Sequence, residues 1–310
     1  MKIHNDNLDT IDASRGAQAV IDRLNELAKT GGYVFRGYGK QDEMLPNIIR
    51  KGKFVDIEDK LLKDFEKYGS SYFQATTPID FMSYAQHFGL PTRLLDFTHN
   101  PFIALSFAIY SPKSNARYSV PEDKEYYYVR YASLDDNLCA PSIPLREDIY
   151  NNKLTRTDSL AVRACQCIES MTDLFGKNVM NRSVWALDGF KDSIDATVNK
   201  QDKIRNHAIL FVDPNQSNQR IIMQQGLFMF PYTLNKEEHL KILNNNSYYI
   251  MIHKDLRNEL IQYLDTLGYN TFRLMPDLCS ICEAVKRRNV DERTEKSSAF
   301  KKRGRNDGIQ

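Results

Sequence analysis

The stretch from Ala85 to Pro101 constrains the fold more than any other part of the chain. Gly89 suits the position just after a helix, where the backbone is often left-handed. Leu90-Pro91 then turns the chain, and the residues from Thr92 to Phe97 have strand-like content. Asn100-Pro101 is a strong helix start, because Asn caps the first turn and Pro is tolerated at its first position. This stretch therefore predicts a helix, a strand and a second helix in close succession.

Polar side chains alternate with apolar ones along the same stretch. This pattern is typical of a segment that crosses the core and also lines a pocket. The polar residues are His87, Arg93, Asp96, Thr98 and Asn100. On a regular strand Arg93 and Asp96 point to opposite faces, whereas Asp96 and Thr98 share one face. That face could also receive Arg36 from a neighbouring strand.

The rest of the chain predicts helices and strands around this stretch. Apolar residues at helical spacing predict helices at 15–29, 59–69, 78–88, 101–110, 254–267 and 277–288. Aromatic and β-branched runs predict strands at 33–36, 126–131, 184–187, 208–212, 221–230, 248–252 and 270–274. Residues 41–50 read as a loop, and a further helix is expected around 159–175. We expect a single α+β domain with a curved, mainly antiparallel sheet flanked by helices.

Three regions follow from composition along the chain. Residues 1–13 are predicted to be a flexible lead-in, residues 14–287 the α+β domain and residues 288–310 a basic disordered tail. From Lys286 onwards the chain has nine Lys and Arg against four Asp and Glu. Such a segment is either a solvated tail or a weak nucleic-acid contact made through phosphate attraction.

Composition sets limits on the compartment and on the chemistry. The net charge of +2 favours no class of partner, and no apolar run approaches the length of a membrane span. The five cysteines are too few for a disulfide framework, so a cytoplasmic, reducing setting is expected. Cys279 and Cys282 have the spacing of a metal knuckle, but buried or half-buried thiols explain them better and no metal is expected. Walker A, Gly-x-Gly-x-x-Gly, Gly-x-Ser-x-Gly and His-Glu-x-x-His motifs are missing from the sequence.

The motifs resemble those of the FRG domain family, which is named for a Phe-Arg-Gly motif and found in microbial proteins. The matching pieces are Phe35-Arg36-Gly37, Pro46, Arg50, 85–101, 104–108, 219–228 and 275–278. The resemblance extends over residues 15–287. Some members look like components of phage or mobile-element conflict systems, so the resemblance implies a toxin or phage-defence effector.

A second similarity is to ADP-ribosyltransferases. These enzymes open with a strand ending in Arg-Gly, as at Arg36-Gly37, and continue with a strand that leads into an Ala-x-x-Phe-Ala helix, as at Asp96–Ala108. They finish with a strand bearing Glu or Gln, as at Gln224 or Gln225. The similarity implies NAD as a cofactor. Together with the chemistry of the side chains beside these motifs, it leads us to predict catalytic roles for Arg36, His87, Asp96 and Gln225, and cofactor binding by Arg36, Gly37, Arg93, Thr98, Asn100 and Gln224.

Each of these residues also has a structural interpretation. Arg36 could form a salt bridge with Asp96 instead of holding a phosphate, since a buried guanidinium must be paired. His87 could be a helix cap, Asn100 could cap the next helix, and the glutamines could be ordinary strand amides. The sequence therefore leaves two functions open, an enzyme acting on a nucleotide or NAD and a ligand- or protein-sensing module without catalysis. Nucleic-acid binding through the basic tail is a third.

Overall fold

The computed structural model describes residues 8–39, 44–69, 71–72, 78–110, 125–134, 137–141, 209–214, 219–231, 234–276, 278, 281–282 and 285. The strands are β1 (Leu8–Ile11), β2 (Tyr33–Tyr38), β3 (Leu95–Thr98), β4 (Tyr126–Ser133), β5 (Leu138–Pro141), β6 (Leu210–Asp213), β7 (Gly226–Met229) and β8 (Tyr248–His253). The helices are α1 (Gly16–Thr30), α2 (Asn47–Lys51), α3 (Glu58–Gly69), α4 (Pro78–His87), α5 (Pro101–Tyr110), α6 (Gln219–Gln224), α7 (Lys236–Asn245), α8 (Arg257–Thr266) and α9 (Thr271–Leu274).

The strands form one eight-stranded sheet in the order β1-β8-β4-β2-β3-β7-β6-β5. The two outermost pairs, β1 with β8 and β5 with β6, are parallel. The five inner pairs are antiparallel. A mixed helix-and-strand fold with a mainly antiparallel sheet is therefore confirmed. Among the described helices, none combines the length and the hydropathy that crossing a bilayer requires.

Two apolar cores cover the two faces of this sheet. On one face α1, α5 and α8 pack through residues that include Leu24, Leu105 and Leu260. On the other face Val34 of β2 packs with Leu243 of α7. Strand β2 is buried on both faces because its side chains alternate between these two cores.

The helices α1 and α5 are where the apolar pattern predicts them. The buried residues of α1 recur at helical spacing and include Val20, Ile21 and Leu24, and Gly31 ends the helix with a φ of 72°. Helix α5 is apolar on nearly all sides and almost wholly buried between the sheet and its neighbours. Helix α1 was predictable from its apolar periodicity, and helix α5 from its almost continuous apolar composition.

Three expectations about local structure are wrong. Residues 221–230 were predicted as a strand, but α6 extends to Gln224 and β7 begins only at Gly226. The turn between them needs a left-handed residue, which Gln225 supplies with a φ of 46°. Residues 270–274 form a helical turn because the Asn270 side chain accepts a hydrogen bond from the N–H of Arg273 at 3.3 Å. Helix α2 follows Pro46, where a loop was expected.

The lead-in expected over residues 1–13 contains a strand. Residues 8–11 pair in parallel with β8, and Ile11 is fully buried. The backbone provides most of this edge pairing, so few side chains signal it in the sequence. The elements predicted at 159–175 and 184–187, and the tail at 288–310, lie outside the described residues. Cys282 is an exposed free thiol.

A buried histidine of α7 makes stability dependent on pH. His239 is 1% exposed, and its Nε2 lies 3.0 Å from the carbonyl oxygen of Met44. Burial lowers the pKa of His239, and the positive charges of Arg130 and Arg36 lower it further against the opposing effect of the Met44 hydrogen bond. The imidazole is therefore neutral in the folded protein at neutral pH.

We expect His239 to reduce stability as the pH falls below its unfolded-state pKa of about 6.5. Below that value the unfolded chain binds a proton that the folded chain excludes, so the free energy of unfolding falls by up to about 1.4 kcal/mol per pH unit until the folded-state pKa is reached. Urea unfolding at several values between pH 7.5 and 5 measures this slope. In His239→Gln, which can still donate to Met44, the slope should be shallower. An identical slope in both proteins would contradict the assignment.

Candidate functional site

A cleft of about 130 Å³ lies among α4, α6, β3 and β7. The polar side chains that line it are Asn47, Ser83, Gln86, His87, Asp96, Arg220 and Gln224. The C-terminal end of α4 supplies Gln86 and His87, and α6 supplies Arg220 and Gln224. Three predicted site residues therefore meet in one cleft: His87, Asp96 and Gln224.

The carboxylate of Asp96 is held in orientation by a short hydrogen-bond chain. The Nε2 of Gln86 donates to Oδ1 of Asp96 at 2.7 Å. The buried Thr92 hydroxyl donates in turn to Oε1 of Gln86, which fixes which end of the amide faces Asp96. The amide therefore presents its N–H group to the carboxylate.

Arg36 lies beside this cleft and contacts Asp96. One of its guanidinium nitrogens donates to the backbone oxygen of Asp96 at 2.5 Å and lies 4.0 Å from the carboxylate. Phe35 pairs with Thr98 across the two strands, so Arg36 belongs to the opposite face from Asp96 and Thr98. The three residues therefore do not share one face. The guanidinium of Arg36 contacts the main chain of Asp96 instead, and its 4.0 Å approach to the carboxylate fits the salt-bridge interpretation.

Gly37 is needed where helix α5 crosses β2. A Cβ built on it would lie 1.6 Å from the carbonyl oxygen of Ala104 in α5. The glycine of the Phe-Arg-Gly motif therefore has a packing role, and the structure does not bring it to the cleft.

Arg93 forms a buried ion pair away from the cleft. Its Nε lies 3.1 Å from both carboxylate oxygens of Glu58 in α3, and a terminal nitrogen lies 2.7 Å from one of them. Both side chains are almost wholly buried. The guanidinium also covers the ring of Phe230 at 5.4 Å. Arg93 therefore joins α3 to the sheet and is fully engaged within the protein.

Thr98 and Asn100 shape the end of β3. The Thr98 hydroxyl donates to the backbone oxygen of Gln224 at 2.7 Å and accepts from the N–H of Asn100 at 3.0 Å. The side-chain oxygen of Asn100 accepts from the N–H groups of Phe102 and Ile103 at 2.9 and 3.3 Å. Asn100 thus caps α5 and occupies the position that a phosphate would need at this helix start.

The two glutamines of the late segment have different positions. Gln224 ends α6, lines the cleft and donates from Nε2 to the backbone oxygen of Leu274 at 2.8 Å. Gln225 is exposed in the left-handed turn, and its backbone oxygen accepts from the N–H of His99 at 3.0 Å. Of the two, Gln224 is the one whose side chain faces the cleft.

Arg220 is a cleft residue that the sequence analysis did not select. It lies in the FRG-like segment 219–228, most of which was predicted to be a strand. On a helix, residues 220, 221 and 224 fall on one side, and all three line the cleft. A helical interpretation of this segment would therefore have placed Arg220 beside Gln224.

The chain was compared with known families and proteins. The sequence model of the FRG domain matches residues 31–117, which contain β2, α2 to α5 and β3. No curated protein and no solved structure matches the chain. The matched segment includes the Phe-Arg-Gly motif, the Thr92–Gln86–Asp96 chain and the cap of α5. Residues 31–117 of this chain are therefore an FRG domain.

Proposed function

We propose that this FRG-domain chain is an enzyme that acts on a nucleotide, with NAD as the first candidate, in the cleft formed by α4, α6, β3 and β7. The observation that carries the proposal is the convergence of His87, Asp96, Arg220 and Gln224 on one cleft. A cation, an oriented carboxylate and an imidazole are the groups that binding a phosphate and moving a proton require.

Each side chain has a role that its chemistry supports. Arg220 offers a planar guanidinium that can hold a phosphate through two parallel hydrogen bonds. His87 supplies an imidazole, the side chain that most often serves as a general acid or base. Gln224 donates its amide to Leu274, and its carbonyl oxygen is suited to accept from a ribose hydroxyl.

The finer form of the proposal is transfer of ADP-ribose. In this reaction the bond between nicotinamide and ribose breaks, and an acceptor adds to the same carbon while losing a proton. Asp96 would stabilise the positive charge that develops on the ribose, and His87 would take the proton from the acceptor. The acceptor would be a protein or a nucleic acid, and a growth-inhibiting or phage-defence effector is the setting that the motif resemblance implies.

Incubation with NAD labelled in both halves tests the proposal. We expect nicotinamide release by the full chain, and a loss of about 10²- to 10⁴-fold in Asp96→Asn and in His87→Ala, since each removes a proton-handling or charge-stabilising group. His99→Ala is the matched control, because His99 is exposed and does not line the cleft. Equal rates in Asp96→Asn, His87→Ala and the wild type would contradict the assignment of the site.

A sensing module without catalysis is the second candidate. It is favoured by the engagement of Arg93, Thr98 and Asn100 in ion-pair, hydrogen-bond and capping contacts. In this case NAD or a mononucleotide binds without turnover, and Asp96→Asn changes affinity alone. Arg220→Ala should weaken binding by about tenfold or more, since it removes a charged hydrogen bond to phosphate. Lys29→Ala, at the remote end of α1, serves as a charge control.

A further inference from the structure

The turn after α4 places an exposed aromatic ring beside the cleft. Phe88 follows His87 directly and is 70% exposed. The two rings meet edge to face, with their centroids 4.8 Å apart and their planes at 86°. Phe88 is not itself a lining residue, but it contacts the ring of His87, which lines the cleft.

The backbone fixes the position from which the Phe88 side chain projects. The N–H of Leu90 donates to the carbonyl of Ala85 at 2.9 Å, and the N–H of Gly89 to that of Gln86 at 3.0 Å. With the φ of 97° at Gly89, these two bonds form the Schellman motif that ends many helices. Phe88 thus has an ordered main chain on both sides while its side chain faces solvent. The attachment point of this large apolar ring is therefore preorganised for contact with a partner.

The size of the cleft limits which part of a ligand it can enclose. Its volume is about 130 Å³. Sites that enclose a whole drug-sized ligand measure about 300 to 1,000 Å³. A phosphate or one sugar fits inside, and a base attached to that sugar must lie at the rim.

We propose that Phe88 is the stacking platform for the base of a mononucleotide unit whose phosphate or ribose occupies the cleft. This inference rests on the proposed function, and it narrows the substrate to ligands with a planar base next to the bound sugar phosphate. Every base has a π-face, so the platform provides affinity for a base without selecting among the four. Selection would come from groups at the edges of the base.

Binding of AMP, ribose 5-phosphate and inorganic phosphate to the full chain tests the inference by calorimetry. The wild type should bind AMP more tightly than ribose 5-phosphate by roughly 5- to 150-fold, the value of one base–aromatic stack. Phe88→Ala should abolish that ratio and leave the affinity for ribose 5-phosphate unchanged. Phe88→Trp should keep the ratio, and AMP but not ribose 5-phosphate should quench the fluorescence of the new indole.

Tyr68→Ala is the matched control, because Tyr68 on α3 is also 70% exposed and does not line the cleft. It should keep the wild-type ratio. Equal affinities for AMP and ribose 5-phosphate in the wild type, or an unchanged ratio in Phe88→Ala, would overturn the stacking role alone. Failure of all three ligands to bind would overturn the proposed function and the stacking role together.

Discussion

Gly37→Ala should prevent the native packing of α5 on the sheet. The added methyl group would lie 1.6 Å from the Ala104 oxygen, 2.6 Å from the Ala104 carbonyl carbon and 2.7 Å from the Ala108 nitrogen. These are backbone atoms of a helix buried between the sheet, α1 and α8, so no side-chain rotation relieves the clash. We expect a loss of about 3 kcal/mol or more, a large fraction of the total stability of a domain.

Urea unfolding followed by circular dichroism measures this loss, and Gly226→Ala provides the control. Gly226 is also a strand glycine without a positive φ, but its added methyl group would meet its nearest neighbour, the Ile221 oxygen, at an ordinary 3.6 Å. The control variant should stay within about 1 kcal/mol of the wild type. Equal unfolding midpoints for the two variants would show that α5 can move away from β2 at little cost.

Arg93→Ala should be the second strongly destabilising change. It removes the guanidinium that pairs with Glu58 at 2.7 Å and leaves a carboxylate buried without its partner. Breaking a buried pair in this way costs about 3 to 5 kcal/mol, more than the pair itself contributes. Glu58→Ala should cost a similar amount, and the double variant should cost far less than the sum of the two.

The exposed pair of Arg23 and Glu26 is the comparison for the double-mutant cycle of Arg93 and Glu58. Arg23 and Glu26 lie 2.7 Å apart within α1, and the Glu26 side chain is 66% exposed. Because water screens such a pair, Glu26→Ala should cost less than about 1 kcal/mol. If the two losses were equal, or if the Arg93 and Glu58 effects were additive, the buried pair would have no special role in joining α3 to the sheet.

The sequence predicted the elements whose apolar pattern shows which side chains are buried. Strand β2, helix α5 and the Asn100 cap were all recognisable, because periodicity and capping chemistry are local. The Arg93–Glu58 pair was not predicted, since the partners are far apart in sequence and only the fold brings α3 onto the strand. Arg93 pairs with Glu58 and not with Asp96, as expected, but the argument from strand alternation does not apply because Arg93 precedes β3.

The cleft was predicted in part. Asp96 and His87 were selected because they fall in the dense polar stretch, and both line the cleft. Arg220 was missed because Ile221, Ile222 and Met223 look like a strand, although only Ile221 of the three is buried. The left-handed turn at Gln225 separates helix α6 from strand β7, and so prevents one continuous strand. A non-glycine residue in that conformation leaves little signal in a sequence.

The sheet order has a consequence for any attempt to isolate the FRG segment. Its two strands, β2 and β3, are neighbours in the middle of the sheet, and each needs a second partner from beyond residue 117. Strand β4 supplies one and strand β7 the other. A fragment cut at residues 31 and 117 would expose two unpaired edges, which favours aggregation. The unit of homology is therefore smaller than the cooperative folding unit, and a truncated protein for binding or activity assays must retain at least β4 and β7.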